Sequence, residues 1–255
     1  MDIRAEVWSP LQNTAVWLGA WLHGLESTDN LVDALGSLGG HHTLVDGRPL
    51  VDLLRELRQV TAGAITASEE PVLRLVLSGP GEAPALRAGT DAARAASASG
   101  VGAIVIRDDD PLTSHILVPT VLGDGTEWEW FTETAPLPAP AWLSPGEADQ
   151  LLTRATGEAA RLVEASGYRT DALNSPRLTV GTLADFYDTP GLPSSVPARA
   201  AKLFARADRV AAIIETVTDR LADHRIDPQL LGLWRHIRAA RMAGVAYAVR
   251  EFGRI

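Results

Sequence analysis

The sequence contains no cysteine, which excludes a disulfide framework, a thiolate zinc site and a cysteine nucleophile. Lysine is almost as scarce: Lys202 is the only one among 23 basic residues. Together with abundant alanine, that bias reads as GC-rich coding rather than as a demand for guanidinium groups. No run approaches the ~20 uninterrupted apolar residues that a membrane-crossing helix needs, so no membrane association is expected. The opening Met1-Asp-Ile-Arg-Ala-Glu6 does not lead from basic residues into an apolar stretch. No signal peptide is therefore expected, and the cytoplasm is the default location. The signatures G-x-S-x-G, H-E-x-x-H, S-x-x-K and the P-loop G-x-x-x-x-G-K-[ST] do not occur.

Positive charge is short in the front half. Residues 1–143 carry 8 basic and 19 acidic groups, a balance of −11, whereas residues 144–255 balance at +2 within a net charge of −9. The front half repels phosphate backbones, so no nucleic-acid partner is expected. With 255 residues, 46% of them hydrophobic, the chain is long enough for one large core or two smaller ones.

Several elements are legible from pattern. Ser9-Pro10 is an N-cap followed by proline at the first helical position, and Leu11, Ala15, Leu18 and Leu22 then recur at helical spacing. Ser27 opens a second helix, His41 to Val45 reads as a short strand, and Pro49 to about Thr61 is a third helix. Pro71 to Ser78 and Val101 to Ile106 read as buried strands around an alanine-rich helix from about Thr90 to Ser99. Strand, helix, strand in about forty residues predicts a βαβ unit with parallel strands and a right-handed crossover. His115 to Leu122 and Thr126 to Thr132 form a hairpin around Gly123-Asp-Gly125, making the sheet mixed.

The proline-spaced stretch 135–144 is the natural linker. It divides a mixed-sheet α/β domain, 1–134, from a helical domain, 145–255. In the second part Ser144-Pro145 repeats the cap-plus-proline start, and 168–197 is irregular apart from a short helix near Thr182 to Tyr187. Leu203, Ala207, Val210, Ile214, Val217 and Leu221 then form an a/d seam, and Asp227-Pro228 opens a final helix to about Phe252. The fold class is α+β: a mixed sheet with a βαβ unit packed by helices, then a helical domain ending in a helical hairpin.

Few residues point to chemistry. Gly79-Pro80-Gly81 follows a strand and precedes a helix, where a phosphate-binding loop belongs, and Asp108 ends the next strand, where a ribose-binding acid sits. The third glycine of the fingerprint is Pro84, and Glu82 puts negative charge where a phosphate would lie, so a tight loop without ligand is the better reading. Asp108-Asp109-Asp110 with His115 offers oxygen and imidazole ligands, but neighbours on an extended chain diverge, and no metal is assigned. His41-His42 with Asp46 has the same difficulty. Of seven tryptophans, most read as core; Trp128 and Trp130 lie on a hairpin that would form a sheet edge. Arg235, Arg238 and Arg241 make a stripe on the final helix, expected to pair with the acidic front domain.

Two function classes follow. The first is a non-enzymatic interaction or regulatory protein that forms a homodimer or docks a protein partner through its C-terminal helices. Its surface would run from Trp234 through Arg238, Arg241, Val245 and Val249 to Phe252, with small residues Ala239, Ala240, Ala243 and Gly244 permitting close helix approach. The second is a nucleotide- or small-anion-binding enzyme using Gly79, Gly81 and Asp108. Neither class requires a cofactor.

Overall fold

A computed structural model describes residues 9–67, 70–79, 85–140, 142–165, 191–221 and 227–255. The short helix expected near Thr182 to Tyr187 lies outside those residues, as do Gly81 and Trp8. The elements in order are α1 (Pro10–Leu22), α2 (Thr28–Gly39), β1 (His41–Leu44), α3 (Leu50–Thr61), the single turn α4 (Ala64–Ala67), β2 (Leu73–Val76), α5 (Asp91–Ser99), β3 (Ala103–Arg107), β4 (Ser114–Val121), β5 (Gly125–Glu133), α6 (Pro145–Ala165), α7 (Ala198–Leu221) and α8 (Asp227–Phe252).

Helix starts follow their caps. The Ser9 hydroxyl accepts from the Gln12 N–H at 3.2 Å and that of Ser27 from the Asn30 N–H at 3.0 Å. At α6 the Ser144 hydroxyl accepts from the Glu147 N–H at 3.2 Å, while the Glu147 carboxylate accepts from the Ser144 N–H at 2.8 Å, a reciprocal capping box.

The five strands form one sheet in the order β1-β5-β4-β3-β2. It is mixed, as expected, but the parallel pair is β1 with β5. β2 and β3 are antiparallel, with Val76 opposite Ala103 and Leu73 opposite Ile106, so the βαβ unit with parallel strands is overturned. The reason lies in the connection. Between Val76 and Asp91 the chain is long enough to span these strands before α5 begins, and β3 starts at the end that β2 has just left. Gly102, at φ 112°, sits there against the Val76 carbonyl, where a side chain would collide. Trp128 is likewise not on an edge, because β1 pairs with β5 from Gly125 to Trp128; Trp130 lies beyond the end of that pairing.

Both faces of the sheet are covered, which explains the continuous apolar runs. Leu73, Leu75, Ile104, Ile106, Leu117 and Trp128 join α1, α2 and α3 in the front core. On the other face Ala103, Val105, Ile116 and Val118 meet Ala92 and Ala96 of α5 and the buried Leu86.

The helical half has its own cluster: Leu203, Ala207, Val210 and Ile214 of α7, Leu152 of α6, and Leu233, Trp234, Ile237, Ala240 and Ala243 from the first half of α8. The second half of α8 changes company. Val245, Ala248, Val249 and Phe252 belong to the front core. Close approach is built in at both contacts: a Cβ on Gly244 would strike the Phe204 ring, and one on Gly19 would stand 2.7 Å from Val249 Cγ2. The Leu77 N–H at the end of β2 also donates to the Met242 sulfur at 3.3 Å.

Glycine-to-alanine changes in two helices test this packing by denaturant midpoint. Nothing lies within 4 Å of a Cβ at Gly157, so Gly157→Ala should stabilise by about 0.5–1 kcal/mol through helix propensity. Gly244→Ala should destabilise despite the same propensity gain, because overpacking a tight contact costs about 1–3 kcal/mol. Equal stabilisation by both contradicts the close α7–α8 approach.

Candidate functional site

The antiparallel pairing of β2 and β3 decides the geometry of the glycine loop. Gly79 lies beyond Val76, at the end of the ladder where Ala103 begins, whereas Asp108 lies beyond Ile106, at the end where Leu73 begins. The two residues are at opposite ends of the sheet and do not converge on one ligand. Gly79 meets Arg238 instead, whose guanidinium occupies the space a Cβ there would need.

The carboxylates of the acidic turn are taken up by groups of the protein itself. Asp109 accepts from the N–H groups of Gly63 and Ala64 at 2.6 and 2.8 Å, which fixes the start of α4. Asp110 accepts from the Leu112 N–H and the Thr113 hydroxyl at 3.0 and 2.9 Å. Asp108 accepts from the Asp110 N–H at 2.9 Å and faces His115 Nε2 at 2.7 Å. Burial raises the Asp108 pKa, but the Asp110 N–H and the His115 ring outweigh it and hold the carboxyl below its ordinary value. The three carboxylates thus serve three separate sets of partners.

His115 is one of two histidines held by tryptophan. Trp130 Nε1–H donates to His115 Nδ1 at 3.2 Å, with the Thr132 hydroxyl 3.1 Å from the same nitrogen. Trp128 Nε1–H donates to His42 Nδ1 at 2.9 Å, and His42 Nε2 lies 2.8 Å from the Leu35 carbonyl. An indole only donates and a carbonyl only accepts, so His42 is neutral with its proton on Nε2. Burial lowers the His42 pKa, more than the Leu35 carbonyl raises it, and neighbouring His41 lowers it further. These rings are structural ties from β5 to α2 and to the acidic turn. Their Nδ1 lone pairs are taken.

The interface expected on α8 is largely interior. Trp234 is 8% exposed, Val245 and Val249 are fully buried, and Phe252 is 2% exposed. Arg241, 3% exposed, reaches Asp208 of α7 at 2.8 Å, so this part of the arginine stripe pairs within the helical half. The small-residue approach at Gly244 is to Phe204 of the same chain.

What the structure adds is a basic groove of about 710 Å³ between the ends of α6, α7 and α8. Ser144, Pro145, Gly146 and Asp149 line it from α6, Arg199, Lys202, Leu203, Arg206 and Arg209 from α7, and Tyr247 and Arg250 from α8. The four α7 cations sit at i, i+3, i+7 and i+10, one face of the helix, with Leu203 of the buried seam beside them. Arg206 is partnered, by Asp149 at 3.0 Å and the Thr153 hydroxyl at 2.7 Å. Among the described residues, the side chains of Arg199, Lys202, Arg209 and Arg250 have no hydrogen-bond or ion-pair partner.

This arrangement is electrostatically adverse in the free protein. Like charges three and four residues apart on a helix cost about 0.2–0.5 kcal/mol per pair. The first turn of α7 has no acidic residue and places Arg199 and Lys202 at the positive end of the helix dipole. An anion in the groove would relieve both terms. The α6 N-terminus adds little, since Glu147 already closes its capping box. The sequence signal for the groove is the cation spacing on α7, which runs beside the a/d seam of the same helix.

Fold and groove define an α+β protein whose helical half carries the candidate site. Two family models match the chain, Rv1486c-like protein, N-terminal domain, over residues 12–145, and Rv1486c-like protein, C-terminal domain, over residues 146–242. The chain belongs to the Rv1486c-like protein family. It is similar to the uncharacterized proteins Rv1486c and MT1533 of two Mycobacterium tuberculosis strains, each 26% identical over 94% of this chain and 96% of the relative. Uncharacterized protein ML1804 of Mycobacterium leprae is 26% identical over 94% of this chain and 97% of its own length. No solved structure matches.

The His42 tie has a pH signature. The unfolded chain binds a proton at this ring that the folded chain refuses, so stability is complete above about pH 6.5, the ordinary histidine value, and falls as pH drops below it. Trp128→Phe, which leaves His42 Nδ1 buried without a donor, should cost about 1–3 kcal/mol at pH 7.5 in chemical denaturation. An unmoved midpoint contradicts the tie.

Proposed function

We propose that the protein is a cytoplasmic, non-enzymatic binding protein whose C-terminal helices dock an anionic partner in the basic groove. The observation that carries this reading is the set of four cations without partners among the described residues, Arg199, Lys202, Arg209 and Arg250, facing one cavity in a chain of net charge −9. Charge of that sign, concentrated against the balance of the whole molecule, steers anions to one place. The partner is assigned to this groove rather than to the Trp234–Phe252 surface, whose apolar residues the chain's own front half and helices already cover. Self-association through that surface has no observation in its favour.

The test is thermal unfolding with pyrophosphate or a polyglutamate peptide, against sodium chloride at equal ionic strength. At 100 times its dissociation constant a bound anion adds about 2.7 kcal/mol of stability. The expected result is an anion-specific rise in melting temperature that disappears in the Lys202→Glu, Arg209→Glu double variant. Melting temperatures that follow ionic strength alone, for both probes, overturn the proposal.

A further inference from the structure

We infer that the groove is built for a small phosphorylated molecule, with its phosphate held by Arg199, Lys202 and Arg250; this rests on the reading of the groove as an anion site. The cations are not spread evenly. Gly244 against Phe204 and Arg241 against Asp208 set the antiparallel register of α7 and α8, and that register places Arg250 beside the first turn of α7, where Arg199 and Lys202 stand. Three unpartnered cations therefore gather at one end of the cavity, at the positive end of the α7 dipole.

Further along α7 the charge is cancelled, because Asp149 neutralises Arg206. A run of carboxylates laid along the groove would meet that acid in the middle, with only Arg209 beyond it. A phosphate monoester carries roughly −1.5 to −2 at pH 7 and three acceptor oxygens, which suits a three-cation cluster better than a single carboxylate does. The remaining lining suits the body of such a molecule: Leu203 and the Tyr247 ring give apolar contact, and the Asp149 carboxylate can accept from hydroxyl groups. A cavity of about 710 Å³ is the size of small-molecule sites, which run from about 300 to 1,000 Å³. The chain's single lysine completes the cluster, with a compact ammonium among guanidinium groups.

That lysine also supplies the test. Pyridoxal 5′-phosphate is a phosphorylated aldehyde whose carbonyl condenses with a lysine amine, releasing water, and borohydride then reduces the imine to a stable secondary amine. Pyridoxal lacks the phosphate and serves as the control. Peptide mapping separates Lys202 from the chain's terminal amine. The expected result is labelling of Lys202 at least tenfold faster with the phosphate than without it, slowed by pyrophosphate. The Arg199→Ala, Arg250→Ala double variant, altered only at exposed positions and checked for folding by circular dichroism, should lose that advantage. Equal rates for the two aldehydes, with no protection by pyrophosphate, overturn the inference. If polyglutamate still protects Lys202 in that case, the groove is an anion site of another class and the proposed function survives. If nothing protects it, both fall.

Discussion

The last helix has to satisfy two cores, and the rest of the molecule is arranged around that demand. Its first half supplies Leu233, Trp234 and Ile237 to the helical cluster, and its second half supplies Val245, Val249 and Phe252 to the front core. An isolated helix of 26 residues with so little amphipathic contrast would have no single face to bury. Packed end to end against two partners, it needs none. Glycines at the contacts, Gly244 beneath Phe204 and Gly19 beneath Val249, bring the backbones close enough for both cores to be dense. The groove is a by-product of the same geometry, since it opens where the end of α8 passes the beginnings of α6 and α7.

The sheet is held by a different device. Alternate residues of β5 point indole N–H groups into the front core, and each meets a histidine Nδ1 there, Trp128 on His42 and Trp130 on His115. The far nitrogens then reach the Leu35 carbonyl and Asp108, so one strand is tied to α2 at one point and to the acidic turn at another. A buried polar chain of this kind stabilises only when every member is satisfied. This explains why residue types associated with catalysis occur here as scaffolding.

Much of the fold was legible because it depends on local signals. Serine caps before Pro10 and Pro145, the seam on α7 and the hairpin around Gly123 to Gly125 are each encoded within a few residues. Strand direction is not. β2, α5 and β3 show the same apolar pattern whether the crossover is parallel or antiparallel, and only the length of the connection before α5 hinted that the chain turns back. That single reversal parts Gly79 from Asp108 and dissolves the site drawn from them. Burial on α8 was half legible: surplus apolar area was evident, but pattern does not say whether the cover is the same chain or another. Arg199, Lys202 and Arg209 share one face of α7, but only the packing of α8 against α7 brings Arg250 to them.

The groove stands or falls on whether those cations meet an anion in the intact protein. The most direct measurement is an NMR titration of arginine Nε–H and lysine ammonium signals with inorganic pyrophosphate. Saturable shifts confined to Arg199, Lys202 and Arg250, with Arg48 and Arg55 unmoved because Asp46 and Asp52 already hold them, are predicted. Small, unsaturating shifts shared by every exposed arginine would contradict a built site and leave the groove an ordinary charged surface.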